Sequence, residues 1–256
     1  MRYFDGTQWT EHVSSHGKQS VDPPGGVSHV PTVNRATEKI QADVAKVGVT
    51  AGAVQGGGSI FTESVLVVNQ KAKLIEINNE YAIYDQNGTQ IGAVRQVGQS
   101  MAKKAIRLLS NYDQFLTHKL QIVDMGGNVL LALTRPAKLI KSKVVVQDGT
   151  GRDIGTIVQQ NAIGKIHFGL EAGGNMYGSI NAENWRAWNF NIQDHTGAEV
   201  ARITKTWEGL AKTMFTTADN YVVHIHRPLP DPLRMLVLAS AVSVDTALKQ
   251  DAQGFN

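Results

Sequence analysis

Residues 231–250, D-P-L-R-M-L-V-L-A-S-A-V-S-V-D-T-A-L-K-Q, constrain this chain more than any other stretch. Asp231 followed by Pro232 predicts a helix start: a carboxylate accepts from the free N–H groups there, and the missing proline donor costs nothing in the first turn. Beyond it, Leu233, Met235, Leu236, Val237, Leu238, Ala239, Ala241, Val242 and Val244 cover nearly every direction around the axis. A helix apolar on all sides has to be enclosed by protein or by lipid. Its continuously apolar part spans only about 18 Å, against about 30 Å for a bilayer core. Arg234, Ser240, Ser243 and Asp245 interrupt it further. The segment is therefore read as a helix wrapped by its own protein.

The wrapping is legible as a repeat. Four segments share one template, in which alternating apolar residues lead to Asp-x-x-Gly and then to two more apolar residues three apart. They are Tyr81-Ile83-Asp85-Gly88-Ile91-Val94, Leu120-Ile122-Asp124-Gly127-Leu130-Leu133, Val144-Val146-Asp148-Gly151-Ile154-Ile157 and Phe190-Ile192-Asp194-Gly197-Val200-Ile203. Two-residue alternation marks a strand with one buried face. Asp folds onto the backbone two residues on and Gly accepts a positive φ, so each Asp-x-x-Gly predicts a hairpin turn. Further β-type runs fall at 65–68, 74–77, 166–170, around Ile180, and at 185–188 and 221–225. Together these give about twelve strands, and the expected fold is mainly β: a closed antiparallel barrel around a buried hydrophobic C-terminal helix. Closure removes the edge strands, and the helix fills the lumen.

The N-terminal quarter differs. Residues 1–13 read as a partial hairpin domain, with Asp5-Gly6 as the turn between aromatic runs. Residues 14–59 are rich in Gly, Pro, Ser, Lys and Gln, and read as a flexible linker. Their composition permits a helix over 37–46. The remaining residues, 60–256, form the barrel unit.

Composition narrows the chemistry. There are 25 Lys and Arg against 22 Asp and Glu, a net +3, which is too even for a dedicated nucleic-acid binder. The absence of cysteine excludes disulfides, thiolate metal sites and catalytic thiols. No basic-then-apolar leader follows Met1, so a cytoplasmic location is expected. No nucleophile motif, P-loop or dinucleotide fingerprint is present, and no enzymatic activity is expected. His224-x-His226 places two imidazoles on one strand face as half of a metal site without an evident third ligand. The four turn aspartates read as backbone caps rather than calcium ligands.

Three features carry a resemblance. They are the Glu-Ser-x-Leu-x-Val-x-Gln opening at 63–70, the Tyr81-x-Ile83-Tyr84-Asp85-x-x-Gly88 hairpin, and Thr217-Ala218-Asp219-Asn220-Tyr221 before Asp231 and the apolar helix. From about Ile60 onward the chain resembles the phospholipid scramblase family, which shares a fold with LURP-one-related and tubby-like proteins. The resemblance implies a twelve-stranded barrel around the C-terminal helix, and phospholipid scrambling between leaflets. It also implies calcium binding just before the last helix, where Asp219 alone matches an acidic ligand position, so no cofactor is expected beyond that calcium. The run Tyr3-Phe4-Asp5-Gly6 to Trp9-Thr10-x-His12 resembles the end of a short domain of unknown function found before actinobacterial membrane-associated proteins.

The basic stretch Arg95, Lys103, Lys104, Arg107, Lys119, Arg135, Lys138, Lys141 and Lys143, against Asp113 and Asp124, reads either as a solvated face or as a docking surface for anionic lipid. In the docking reading Lys103, Lys104, Arg107, Lys138, Lys141 and Lys143 bind lipid, the first three from a short amphipathic helix over 101–109. Peripheral attachment at the inner face of the plasma membrane follows. Trp185, Trp188 and Trp207 belong either to the barrel wall or to an interfacial anchor. The alternative is a scaffold that recruits a protein partner through the N-terminal hairpin. No recognition motif accompanies the charge, which disfavours nucleic acid as the partner.

Overall fold

Twelve consecutive strands, each hydrogen-bonded to its sequence neighbours, close on themselves with the last paired to the first. The structure is a computed structural model describing residues 2–4, 9–15, 18–21, 37–49, 58–70, 79–97, 117–136, 142–161, 167–184, 189–206 and 220–251. In chain order a small sheet, β1 (Arg2–Phe4), β2 (Trp9–Ser15) and β3 (Lys18–Val21), precedes helix α1 (Thr37–Lys46). The barrel comprises β4 (Val65–Gln70), β5 (Asn79–Asp85), β6 (Gln90–Val97), β7 (His118–Asp124), β8 (Val129–Arg135) and β9 (Lys143–Asp148). It continues through β10 (Asp153–Gln159), β11 (His167–Ala172), β12 (Asn175–Asn184), β13 (Asn189–Asp194), β14 (Glu199–Thr206) and β15 (Asn220–Ile225), and helix α2 (Leu233–Asp251) follows.

The four Asp-x-x-Gly turns share one geometry. The glycines take φ of 86°, 84°, 89° and 85° at Gly88, Gly127, Gly151 and Gly197, which only a residue without Cβ adopts freely. Each glycine N–H donates to the carbonyl of its Asp, and each Asp N–H donates to the carbonyl four residues on. The carboxylates then bind the turn from within. Asp85 Oδ1 accepts from the Asn87 and Thr89 amides, and Asp148 Oδ1 from the amides of Thr150 and Arg152. A fifth tight hairpin lacks the aspartate: Gly173 and Gly174, both at positive φ, join β11 to β12. The Gly-Gly pair is itself a hairpin signal that the Asp-x-x-Gly template does not capture.

Alternation along the strands sorts side chains between lumen and outer wall. Leu66, Val68, Tyr81, Ile83, Leu131, Leu133, Val144 and Ile203 enter one core with Leu236, Val237, Leu238 and Val242 of α2. Leu236, Leu238 and Val242 are 0%, 2% and 1% exposed, so the expected plug is the observed one. The polar residues of α2 are accommodated locally. Ser240 and Ser243 donate back to the carbonyls of Leu236 and Ala239, and Arg234 Nη2 donates to the Glu63 carbonyl at 2.7 Å. Burial pushes the Arg234 guanidinium pKa below its ordinary value, against the opposing charges of Asp231 and Glu63. The expected Asp231 cap is not the device used. Main-chain bonds from Arg234 to Pro230 and from Leu236 to Pro232 close the first turn.

The stretch read as a flexible linker contains ordered elements. Strand β3 extends the N-terminal hairpin to three strands, and α1 lies against the outside of the barrel. There Ile40, Val44 and Val49 cover Val65, Val67, Ala82, Tyr84 and Val222, an outward apolar stripe that water would otherwise meet. The density of glycine after residue 47 obscures this in the sequence, because helix propensity is a weak prior beside tertiary burial.

Candidate functional site

Every barrel strand runs antiparallel to its neighbours, so connections alternate between two ends. The five tight hairpins occupy one end, where α2 also begins. The opposite end anchors the other six connections: 71–78, 98–117, 136–142, 160–166, 185–188 and 207–219. Their sequences carry ten Lys and Arg against four Asp and Glu, a net +6, and three of the chain's four tryptophans. The tight-turn end instead collects the aspartates. The connections that the described strands lead into at that end thus carry in sequence more net charge than the whole chain, whose total is +3.

Electrostatics at the tight-turn end are settled by capping. The Thr150 hydroxyl, with the Thr150 and Arg152 amides, lowers the Asp148 carboxyl to about 2 despite some desolvation. Hydrogen bonds from Thr196 do the same in direction for Asp194, with Arg227 paired to it at 2.6 Å. Asn128 lowers Asp124 likewise. These carboxylates are occupied by backbone, as the cap reading requires.

Of the residues expected to bind lipid, Lys143 is placed, exposed at the start of β9 on the basic end. Lys103, Lys104, Arg107, Lys138 and Lys141 lie outside the described residues, as do Asp219, Trp185, Trp188, Trp207 and the helix expected over 101–109. One member of the basic stretch needs correction. Arg135 does not belong to an exposed face: it is 5% exposed at the barrel mouth, directly opposite His118 of the neighbouring strand, which is 8% exposed. Both continue the inward alternation of Leu133 and Leu120, a phase that the sequence pattern already contained. With Leu120, Leu133, Val144 and Ser243 they line a small open recess.

His224 and His226 do share a face, ring centroids 4.7 Å apart, with His226 Nε2 3.9 Å from Glu199. Desolvation and then the neighbouring His226 lower the His224 pKa. Arg202 already grips Glu199 through Nε and Nη2, and no cluster of three metal-ligating side chains occurs among the described residues. Beside this, β12, β13 and β14 present an outward polar network. Asn181 donates to Asn191 at 3.0 Å, and Arg202 bridges Glu183 and Glu199 at 2.6 and 2.7 Å. The two carboxylates hold the Arg202 pKa above its ordinary value. On these three strands the outward face is polar, unlike the apolar outward band of a membrane-spanning barrel. Among the described residues no helix is long and apolar enough to cross a membrane.

A second group escaped the sequence reading. Asp43 of α1 accepts from the Asn220 amide, and Asn220 in turn accepts from Asn69, forming a buried polar chain from the helix to β15 and β4. Lys46 closes it at 2.8 Å from Asp43. Its only signal in sequence is one acidic residue on the apolar side of a short helix.

Comparison with known proteins gives three matches. A family model described as Scramblase matches residues 50–248. Altered inheritance rate of mitochondria protein 25 of Saccharomyces cerevisiae is 23% identical over 234 residues, covering 73% of this chain and 71% of the yeast protein. An X-ray structure of an Arabidopsis thaliana protein is similar at 14% identity and a TM-score of 0.42, covering 76% of this chain and 99% of that one.

Proposed function

The chain belongs to the Scramblase family, and on that premise we propose that it is a non-catalytic barrel that docks end-on to anionic phospholipid surfaces. The observation that supports this reading is the strand topology: the six connections joined to the described strands at one end have sequences of net +6 with three tryptophans, and the described turns at the other end hold capped aspartates. Basic residues near an anionic leaflet contribute about 1 kcal/mol each, and tryptophan favours the headgroup region. Lys103, Lys104, Arg107, Lys138, Lys141 and Lys143 are the proposed contacts, supported by their place in or beside connections anchored at that end. The apolar helix does structural work inside the barrel and stays out of the bilayer. Family membership supports a part in moving phospholipid between leaflets, with the docked barrel as the membrane-bound component. Calcium remains a proposal resting on Asp219 and the family resemblance.

Co-sedimentation with vesicles containing phosphatidylserine tests the docking. Binding should be present at low salt and fall as ionic strength shortens the screening length to about 10 Å near 0.1 M. No binding at low salt, with or without calcium, would remove the proposal. Removing residues 1–36 should leave vesicle binding intact, whereas a scaffold acting through the N-terminal sheet would lose its partner.

A further inference from the structure

We propose that α1 is a releasable strap. It opens from the barrel wall while the barrel stays folded, and when closed it fixes the roots of two connections at the end read as the docking surface. The effect on docking rests on that reading, whereas the opening does not. The barrel is complete without α1. Each of its twelve strands is paired on both sides, and among the described residues its inner core contains none from α1. Ile40, Val44 and Val49 belong to a second, separate cluster with the outward Val65, Val67, Ala82, Tyr84 and Val222. The residues matched to the family, 50–248, begin after α1. Ten residues do not hold a helix alone in water, so closing the strap and forming its helix are one event.

The strap runs along the wall from one end towards the other. At its start Thr37 lies against the Gly88 turn, where a Cβ on the glycine would come within 3.1 Å of Thr37 Cα. Further along, Asp43 accepts from Asn220, which accepts from Asn69, and Lys46 reaches the same carboxylate at 2.8 Å. Register places Asn220 directly opposite Asn69, and Val222 opposite Val67, so the amide pair is the row of the stripe nearest the connections. Asn220 opens β15, where connection 207–219 arrives, and Asn69 is one residue short of the end of β4, where 71–78 departs. Asp43, Asn220 and Asn69 are all more than nine-tenths buried. Apolar packing alone would let a helix slide along such a stripe, whereas a buried carboxylate that must keep its amide donor permits one position. Closure therefore ties the two strand ends together from outside.

The chain has no cysteine, so single thiols introduced into the full chain report the opening. Val222 lies beneath α1, and Val223, the next residue on β15, faces the lumen; both are almost fully buried. Val222→Cys should react with a thiol reagent at least about tenfold faster than Val223→Cys. Its rate should change little in dilute urea, because local opening exposes little surface, while the Val223→Cys rate rises steeply. Thermal melting identifies the variants that keep the fold, and Val67→Cys gives the same reading from β4. Equal rates and equal urea dependence at the two faces would overturn the strap, since α1 would then leave only when the barrel unfolds. Adding Asp43→Ala should raise the Val222→Cys rate about tenfold, the effect of losing one charge-assisted hydrogen bond. An unchanged rate would overturn the buried seam as the latch. Phosphatidylserine vesicles should slow labelling of Val222→Cys, because a ligand that prefers the closed form draws the equilibrium towards it. Vesicles that bind without slowing it would overturn the link between strap and docking end and leave the docking standing. Fast, urea-insensitive labelling with no vesicle binding would keep the strap and overturn the docking.

Discussion

At the scale of single residues, the turn aspartates tie stability to pH. Asp148 is held at about 2 in the folded protein, below its ordinary value of 3.8. Its contribution is therefore present above about pH 4 and is lost as pH falls through about 2. Asp148→Asn should flatten that part of the acid-unfolding curve and lower stability at neutral pH, where the contribution of the charged carboxylate is fully present. The glycine of the same motif, here in the Asp194 turn, acts through the backbone. Gly197→Ala forces a Cβ into a φ of 85° and should cost about 1–2 kcal/mol in urea denaturation. Inside the lumen the governing quantity is volume. Leu236→Ala, at a fully buried position, should lose about 2–5 kcal/mol, where the same change on a solvent-facing helix would cost a few tenths. The turn residues were plain in the sequence, because their chemistry is local. His118 and Arg135 were not, since their meeting depends on the register of two strands.

At the scale of elements, α1 shows how a segment with little intrinsic order acquires a place. Ten residues cannot hold a helix alone in water, and the outward stripe of Val65, Val67, Ala82, Tyr84 and Val222 supplies the missing burial. The buried Asp43 fixes its position along the barrel by accepting from Asn220. Asp43→Ala removes that acceptor and should cost about 1–3 kcal/mol. Dye binding to exposed apolar surface should rise with it, because α1 loosens from the stripe it covers. Helix α2 is the opposite case. Its own composition left enclosure as the only outcome, and the repeated hairpins announced what would enclose it. The glycine-dense flank of α1 carried no such signal, so a tether and a docked helix had the same appearance in sequence.

At the scale of the whole molecule, the separation of the two ends predicts how charge changes act. Lys143→Glu, on the basic end, should weaken binding to phosphatidylserine vesicles by up to about 2 kcal/mol. Arg152→Glu, on the tight-turn end, should leave vesicle binding unchanged, because its side chain sits about a barrel height from the proposed docking end. Equal losses for both variants in sedimentation would show that only net charge matters. The sequence by itself determined the class of the fold: two-residue alternation, four Asp-x-x-Gly turns and a helix apolar on every side admit few solutions besides a filled cylinder. Periodicity and turn chemistry act over a few residues, and they survive in any linear reading. Only closure of the barrel decided which connections share an end, that Arg135 turns inward to face His118, and that a carboxylate of α1 meets an amide of β15. Those relations join residues far apart in the chain, and they arise from strand pairing and packing that no short window of sequence contains.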